Sequence, residues 1–139
     1  MAWKIKENMD ISIIVPIYKG VKYTNQLIKQ VEACKKQLIN ESVELLLLND
    51  DPEVYIQPLH SEWVAIRVFN TEINLGIQGT RVKGYRYCNG EYVLFLDQDD
   101  KITDDYLKSQ LKIIRQSNAA AVVCKAKENG REKYNTMII

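Results

Sequence analysis

Short apolar runs separated by polar turns dominate the pattern of hydrophobic positions along the chain. Four of these runs cover residues 11–15, 43–48, 64–69 and 92–96. Runs of this length that stop at Pro, Asn or Asp are typical of strands buried on both faces. The apolar residues 119–124 continue the pattern. The sequence therefore predicts four strands, of which those at 11–15 and 43–48 are expected to be buried, and offers residues 119–124 as a fifth.

Segments with helical periodicity lie between these strands. The segment 22–40 carries its apolar side chains on one face, at Leu27, Ile28, Val31, Cys34 and Leu38. A second helix is predicted at residues 103–116, and a short one at residues 81–88 after the polar segment 70–80. Strands that alternate with helices are typical of an α/β fold with a mostly parallel central sheet flanked by helices.

Composition narrows the class of protein. The 139 residues, of which 46% are hydrophobic and 27% charged, are expected to form one domain, 1–139. A net charge of +1 gives no large basic field, so nucleic acid is not a predicted partner. The chain shows no secretory signal and no apolar run near the ~20 residues of a membrane span. Three cysteines without CxxC spacing favour reduced thiols and a cytoplasmic location.

Polar residues follow three of the predicted strands. PIYKG follows the first strand at residues 16–20, NDD the second at 49–51, and DQDD the fourth at 97–100. In an open parallel sheet, ligands bind beyond the carboxyl ends of the strands. If the three strands are neighbours, their loops converge on one edge of the sheet, and the sequence predicts a ligand site there.

Three carboxylates within four positions, Asp97, Asp99 and Asp100, end the fourth strand. Like charges this close repel each other, and a hard divalent cation removes that cost because it takes oxygen ligands. Asp97 and Asp99 are therefore predicted to contact a metal ion or a ligand. A structural alternative applies to Asp100, Asp104 and Asp105, because acidic side chains are stabilised in the first turn of a helix.

Other metal or phosphate motifs fit the sequence poorly. Lys101, Ile102 and Lys108 stand where an EF-hand loop requires an oxygen ligand, Gly and Glu. Lys101 also breaks a phosphatase-type DxDx[TV] motif, and the sequence contains no P-loop motif. His60 is the single histidine, so neither a histidine-based triad nor a zinc centre is predicted.

Four separated stretches carry a further signal. They are ISIIVPIY, ELLLLNDDPE, NLGIQGTRVKGYRYCNGEYVLFLDQDD and the helix from Thr103, and they cover roughly residues 10–125. In this order they resemble the N-terminal, nucleotide-binding half of family 2 glycosyltransferases with the GT-A fold. The third stretch is the most specific because it matches the family pattern almost end to end. Departures from that pattern are Lys19, residues 51–52 and Val82.

The resemblance implies a Rossmann-like GT-A sandwich that lacks the acceptor-binding half and is therefore truncated at the C-terminus. It implies a nucleotide-diphosphate sugar, in the first instance UDP-linked, as the donor. It also implies a divalent Mg²⁺ or Mn²⁺ ion as the cofactor. Asp99 is the implied direct metal ligand, and Asp97 would hold the ribose hydroxyls or the metal through water.

Four more residues are implied to bind the nucleotide. Asp50 would accept a hydrogen bond from the base, and Arg81 would donate one to a base carbonyl. Pro16 and Tyr18 would line the base and the ribose. Structural alternatives stay open for three of them: Asp50 as a turn or helix cap, Arg81 as a solvated helix charge and Tyr18 as a packing residue.

The implied activity is metal-assisted, inverting transfer of a sugar to a glycan or lipid-linked acceptor in polysaccharide or glycoconjugate synthesis. The general base that such a transfer needs is expected downstream, because Glu128 and Glu132 lie in an expected hairpin-like turn or exposed loop. The chain is therefore expected to bind donor and metal but to transfer sugar weakly or not at all.

Two other functions compete with this interpretation. One is a non-catalytic nucleotide-binding or assembly module that retains the fold. The other is a nucleotidyltransferase, which PIYKGVKY fits poorly because it has one Gly and two Lys. Apolar surface left exposed by an absent acceptor half would favour a homodimer. Peripheral contact with the inner face of the membrane is left open for the full-length parent.

Overall fold

The computed structural model describes residues 8–118, 120–128 and 131–138. In chain order the elements are β1 (Met9–Ile17), α1 (Thr24–Lys36), β2 (Val43–Asn49), β3 (Ala65–Phe69), α2 (Gly76–Tyr87), β4 (Gly90–Phe95), α3 (Tyr106–Gln116), β5 (Ala121–Glu128) and β6 (Arg131–Ile138). A single 3₁₀ turn, Val21–Tyr23, precedes α1. None of the helices in these ranges is both long and apolar enough to cross a membrane.

The strands form one six-stranded sheet in the order β3-β2-β1-β4-β6-β5. The first four in this order are parallel to one another, and β6 is antiparallel to both of its neighbours. All seven residues of β2 are buried, as expected for a strand covered on both faces. The predicted α/β fold with a mostly parallel sheet is confirmed.

Alternate residues of β1 point to opposite faces of the sheet, as the pleat of a strand requires. Ile11, Ile13 and Val15 pack with the apolar faces of α1 and α3 in the larger core. Ile14 packs on the other face in a smaller cluster, together with buried residues of β2 and β4. Gly84 of α2 approaches this face so closely that a Cβ there would lie 2.5 Å from Cγ2 of Ile14.

Three helix predictions were wrong in their bounds, among them the one at 103–116, because α3 begins at Tyr106. The short helix predicted at 81–88 begins at Gly76, where a φ of 75° turns the chain into the helix. Its buried residues are Thr80 and Gly84, so no apolar stripe marks its first turns in the sequence. The helix predicted at 22–40 ends at Lys36.

The strand predicted at 119–124 begins at Ala121, and residue 119 lies outside the described residues. It continues to Glu128 and pairs with β6, with Glu128 opposite Arg131. The expectation that Glu128 and Glu132 lie in a hairpin-like turn or exposed loop is wrong, because they belong to β5 and β6, and residues 129–130 lie outside the described residues. The second strand of the hairpin was not predicted, and it places an antiparallel strand beside β4.

Candidate functional site

A cleft of ≈ 370 Å³ opens at the carboxyl edge of the parallel strands. Its walls include five of the six residues singled out from the sequence: Pro16, Tyr18, Asp50, Asp97 and Asp99. These residues come from the ends of β1, β2 and β4, which are adjacent in the sheet. The predicted convergence of three loops on one edge is confirmed, and the role of each residue stays a prediction.

Asp50 is buried directly after the last residue of β2. Its Oδ1 accepts a hydrogen bond from the backbone N–H of Leu75 at 2.7 Å, and its backbone oxygen accepts one from Nδ2 of Asn74 at 3.2 Å. Its own backbone N–H donates to the oxygen of Ile17 at 2.8 Å. These bonds fix the carboxylate between β1 and the loop before α2. They use Oδ1, so Oδ2 retains its capacity to accept hydrogen bonds on the cleft wall.

Arg81, the sixth predicted residue, reaches the site through Asp97. Its Nη2 lies 3.0 Å from Oδ1 of Asp97, and both side chains are about one-third exposed, at 30% and 35%. Such a partly exposed ion pair contributes little to stability. It does orient the Asp97 carboxylate and sets a positive charge beside it. The side chain of Arg81 is not among those that line the cleft.

The DQDD segment forms a closed turn. The backbone N–H of Asp97 donates to Oδ2 of Asp100 at 2.9 Å, and the N–H of Asp100 donates to the Asp97 oxygen at 3.1 Å. Asp100 therefore closes the DQDD turn. It does not lie in the first turn of α3, which begins at Tyr106. Asp99 is exposed at the tip of this turn and lines the cleft.

Four cleft residues were not assigned to the site from the sequence: Asn74, Gly76, Ile77 and Gln98. Asn74 and Gly76 belong to the segment that matches the family pattern, which was a usable signal. Gln98 lies between Asp97 and Asp99 in the sequence. Its hydrogen bonds go to Tyr18, 80 positions away, so no local sequence pattern marks it. The cleft is therefore less acidic than the sequence suggested, with amide groups among its carboxylates.

The carboxylates of the cleft fit a site in which a substrate supplies the other ligands of a metal ion. Among the described residues, no group of three or more His, Cys, Asp and Glu side chains is arranged to hold a metal ion. Mg²⁺ is commonly bound by one or two carboxylates together with substrate phosphates and water. Asp97 and Asp99 supply that number of carboxylates. If a divalent ion binds in the cleft, Asp97 and Asp99 would hold it and a bound substrate would have to supply further ligands.

Reactive groups elsewhere in the described chain do not contribute to the cleft. Sγ of Cys34 donates to the backbone oxygen of Thr103 at 3.2 Å, and burial raises the pKa of this thiol. A buried thiol with a raised pKa is a poor nucleophile. His60 is exposed in the segment between β2 and β3. The cleft at the strand ends is therefore the strongest candidate for the functional site.

The fold is an α/β domain with a cleft where neighbouring parallel strands end, the place where open sheets of this kind bind ligands. The sequence model described as Glycosyl transferase family 2 matches residues 12–138. This chain belongs to glycosyl transferase family 2, as the resemblance of its motifs predicted.

Curated relatives carry names of the same kind. An uncharacterized glycosyltransferase of Haemophilus influenzae is 33% identical over 112 residues, which are 78% of this chain and 43% of that protein. The minor teichoic acid biosynthesis protein GgaB of Bacillus subtilis is 30% identical over 109 residues, 75% of this chain and 12% of that protein. The chain thus spans less than half the length of these relatives.

Solved structures of the poly(ribitol-phosphate) beta-N-acetylglucosaminyltransferase TarS of Staphylococcus aureus have the same fold. The complex of TarS 1–349 with UDP has a TM-score of 0.70 and 26% identity, covering 88% of this chain and 37% of that one. The complex with UDP-GlcNAc has a TM-score of 0.71 and 28% identity, covering 88% and 36%. The predicted GT-A fold is confirmed by this match.

Proposed function

We propose that this chain binds a UDP-sugar in the cleft and serves as the donor-binding part of a glycosyltransferase. The observation that carries the proposal is the meeting of Asp50, Asp97 and Asp99 on one cleft at the ends of three strands. The structures of the relative TarS with UDP and with UDP-GlcNAc support the choice of nucleotide. The proposal assigns each wall of the cleft to one part of the donor.

The base and ribose end of the donor is assigned to the β1 and β2 side of the cleft. A uracil ring carries one N–H between two carbonyl groups, and Oδ2 of Asp50 is the acceptor proposed for that N–H. Pro16 and Tyr18 supply apolar surface for the ring and the sugar, and Tyr18 is 46% exposed. In the free chain, Arg81 forms its ion pair with Asp97. If that pair opens, Arg81 donates a hydrogen bond to a base carbonyl.

The diphosphate end is assigned to the DQDD turn. Asp99 is exposed at the turn and is the proposed direct ligand of a divalent ion, with Asp97 beside it. The ion supplies charge stabilisation to the leaving nucleoside diphosphate when it is bound. Asp97, held by Arg81 at 3.0 Å, keeps a fixed orientation toward the ribose or a metal-bound water.

The transfer itself is proposed to be inverting, with an acceptor hydroxyl that loses its proton to a general base. The carboxylates of the cleft are assigned to the donor, so the proposal assigns none of them as this base. The acceptor class is a glycan or a lipid-linked glycan of a bacterial surface. The names of the relatives from B. subtilis and S. aureus support that class.

Calorimetric titration tests the assignment of the two ends separately. UDP and uridine are each titrated into the chain with and without Mn²⁺. The expected result is that Mn²⁺ tightens the binding of UDP and leaves that of uridine unchanged, because only UDP offers the diphosphate. Asp50→Ala is expected to weaken both ligands. If UDP fails to bind both with and without Mn²⁺, the proposed function is wrong.

A further inference from the structure

The side chain of Gln98 joins the loop after β1 to the DQDD turn. Its Oε1 accepts a hydrogen bond from the backbone N–H of Tyr18 at 2.9 Å, and its Nε2 donates to the backbone oxygen of Tyr18 at 3.1 Å. An amide that pairs with both backbone groups of one residue fixes the distance and the orientation of that residue. The two residues are 80 positions apart, so this amide connects two of the three loops that build the cleft.

The backbone after Tyr18 is shaped around this amide. A Cβ on Gly20 would overlap Oε1 and Cδ of Gln98 and would lie 2.8 Å from its Nε2. Gly20 has a φ of −128°, which any residue adopts, so the need for glycine comes from space rather than from conformation. Lys19 between them has a φ of 51°, an uncommon value for a residue with a side chain. The loop that contacts Gln98 thus contains a residue in an unfavourable backbone conformation.

The other side of the turn is held by a second glutamine. Oε1 of Gln30, in α1, accepts a hydrogen bond from the backbone N–H of Ile102 at 2.7 Å, and its Nε2 lies 3.4 Å from the Asp100 oxygen. The turn is therefore anchored to the helix layer by Gln30 and to the cleft by Gln98. Removing the Gln98 amide would keep the Gln30 bonds to the turn and would lose the two hydrogen bonds between the turn and Tyr18.

We propose that Gln98 is a positioning residue that, together with Gly20, sets the spacing between Tyr18 and the carboxylates of Asp97 and Asp99 before the donor binds. The inference rests on the proposed function, because these are the groups assigned to the two ends of the donor. A ligand that must touch both loops binds more tightly when they are already held in place. Gln98 acts through other residues and needs no contact with the ligand.

A double-mutant cycle tests the shared contact. Gln98→Ala, Gly20→Ala and the double variant are titrated with UDP in the presence of Mn²⁺, and the melting temperature of each is measured. Each single change is expected to weaken UDP binding about tenfold, the effect of about one lost hydrogen bond. The double variant is expected to lose about tenfold as well, rather than about 100-fold, because the methyl group added at position 20 occupies the space that the amide vacates. Gln116→Ala, an exposed change on α3, is the matched control.

Hydrogen exchange at the Tyr18 amide gives a readout that does not depend on the ligand. Gln98→Ala and Gly20→Ala are both expected to speed this exchange, while the amide of Ile102 keeps its wild-type rate because Gln30 still holds it. Unchanged exchange at Tyr18, wild-type affinity in Gln98→Ala, or fully multiplicative losses in the double variant would each overturn the inference. If the wild-type chain binds no UDP, the proposed function fails, and the exchange rates still decide whether Gln98 holds Tyr18.

Discussion

Carboxylates occupy both ends of the parallel sheet, and their surroundings differ sharply. At the amino edge, Glu44 is 1% exposed and accepts hydrogen bonds from Ser12 Oγ at 2.6 Å, the Asn89 backbone N–H at 2.7 Å and Arg67 Nη2 at 3.2 Å. At the carboxyl edge, Asp99 is exposed, and no side chain in the described part of the chain pairs with it. The carboxylate at the amino edge already accepts several hydrogen bonds, whereas the one at the carboxyl edge can still accept them.

This comparison shows that burial alone does not identify a site. Glu44 and Asp50 are both buried and lie at opposite ends of the same strand. The carboxylate of Glu44 satisfies donors from three other segments and stabilises the packing of β1, β2 and β3. The carboxylate of Asp50 has one described bond, at Oδ1, and borders a cleft. Unused acceptor capacity beside open space is what makes Asp50, and not Glu44, a candidate for ligand binding.

The largest expected effect comes from Asp99→Ala. We expect UDP affinity in the presence of Mn²⁺ to fall at least about 100-fold, since even indirect partners of a metal ion contribute about 10–100-fold. The melting temperature should stay unchanged, because the side chain is exposed. Calorimetry and thermal unfolding measure the two quantities. Asp104→Ala, an exposed change outside the cleft, is the control, and equal losses of affinity in both variants would contradict the role of Asp99.

Glu44→Gln should have the opposite effect and lower stability without lowering UDP affinity. The new amide N–H₂ group would face donors from Asn89 or Arg67, and we expect a loss of about 2–3 kcal/mol in the free energy of unfolding. This figure is below that of a fully buried pair because Arg67 is 36% exposed. The melting temperature should drop by about 10 °C. Chemical denaturation checks the loss against exposed Glu62→Gln, and UDP affinity of the folded variant should remain at the wild-type value. A stable Glu44→Gln chain that binds UDP poorly would invert the comparison between the two edges.

Gly84→Ala should produce a smaller, mixed effect. The added Cβ would lie 2.5 Å from Ile14 Cγ2 and 3.0 Å from Leu48 Cδ1, so α2 must shift away from the sheet. Overpacking of this kind costs about 1–3 kcal/mol. Because α2 also carries Arg81, UDP affinity should fall by a few-fold, as calorimetry would show. The exposed neighbour Val82→Ala is the control, and wild-type stability in Gly84→Ala would show that the contact relaxes without cost.

The smallest effect is expected from a surface carboxylate, Glu41. Its pKa is lowered from the usual 4.5 mainly by the hydrogen bond from Arg115, whose Nη1 lies 2.8 Å away. A lowered pKa in the folded chain means that the ion pair stabilises the fold above pH 4.5 and that this contribution disappears as pH falls through the folded pKa. Arg115 is 42% exposed, so the contribution should be at most about 0.5 kcal/mol. Denaturant titrations of wild type and Glu41→Gln should differ at about pH 7, and the difference should shrink as the pH falls below 4.5. A difference that persists at the lower pH would show that another contact of Glu41 causes it.

Much of the fold was predictable because β1, β2 and β4 contain apolar runs that are largely buried, whereas β3, at the edge of the sheet, has no buried residue. The helix α2 escaped correct placement because it packs through Thr80 and Gly84, and small residues leave no hydrophobic stripe in the sequence. The strand β6 was not predicted because its sequence, REKYNTMI, is largely polar. Its pairing with β4 and β5 is a tertiary event that local periodicity does not record.

The site was predictable where one short segment carries several polar groups at a strand end, as in residues 97–100. The structure added contacts between distant segments. The bonds of Gln98 to Tyr18 span 80 positions, and those of Glu44 to Ser12 and Asn89 span 32 and 45. Nothing in the local sequence distinguishes Glu44 from a solvated glutamate. Its role follows only from the register that sets β1 beside β2.

Paramagnetic broadening by Mn²⁺ tests the contrast between the two edges most directly. In ¹⁵N spectra of the chain with UDP, we expect added Mn²⁺ to broaden the amide signals of residues 97–100 and of Tyr18. The amides of Asn89 and Gly90, about 20 Å away along β4 at about 3.3 Å per residue, should keep their intensity. Broadening centred on the amino edge around Glu44, or no selective broadening with UDP present, would contradict the claim that the open carboxylates of the cleft form the ligand site.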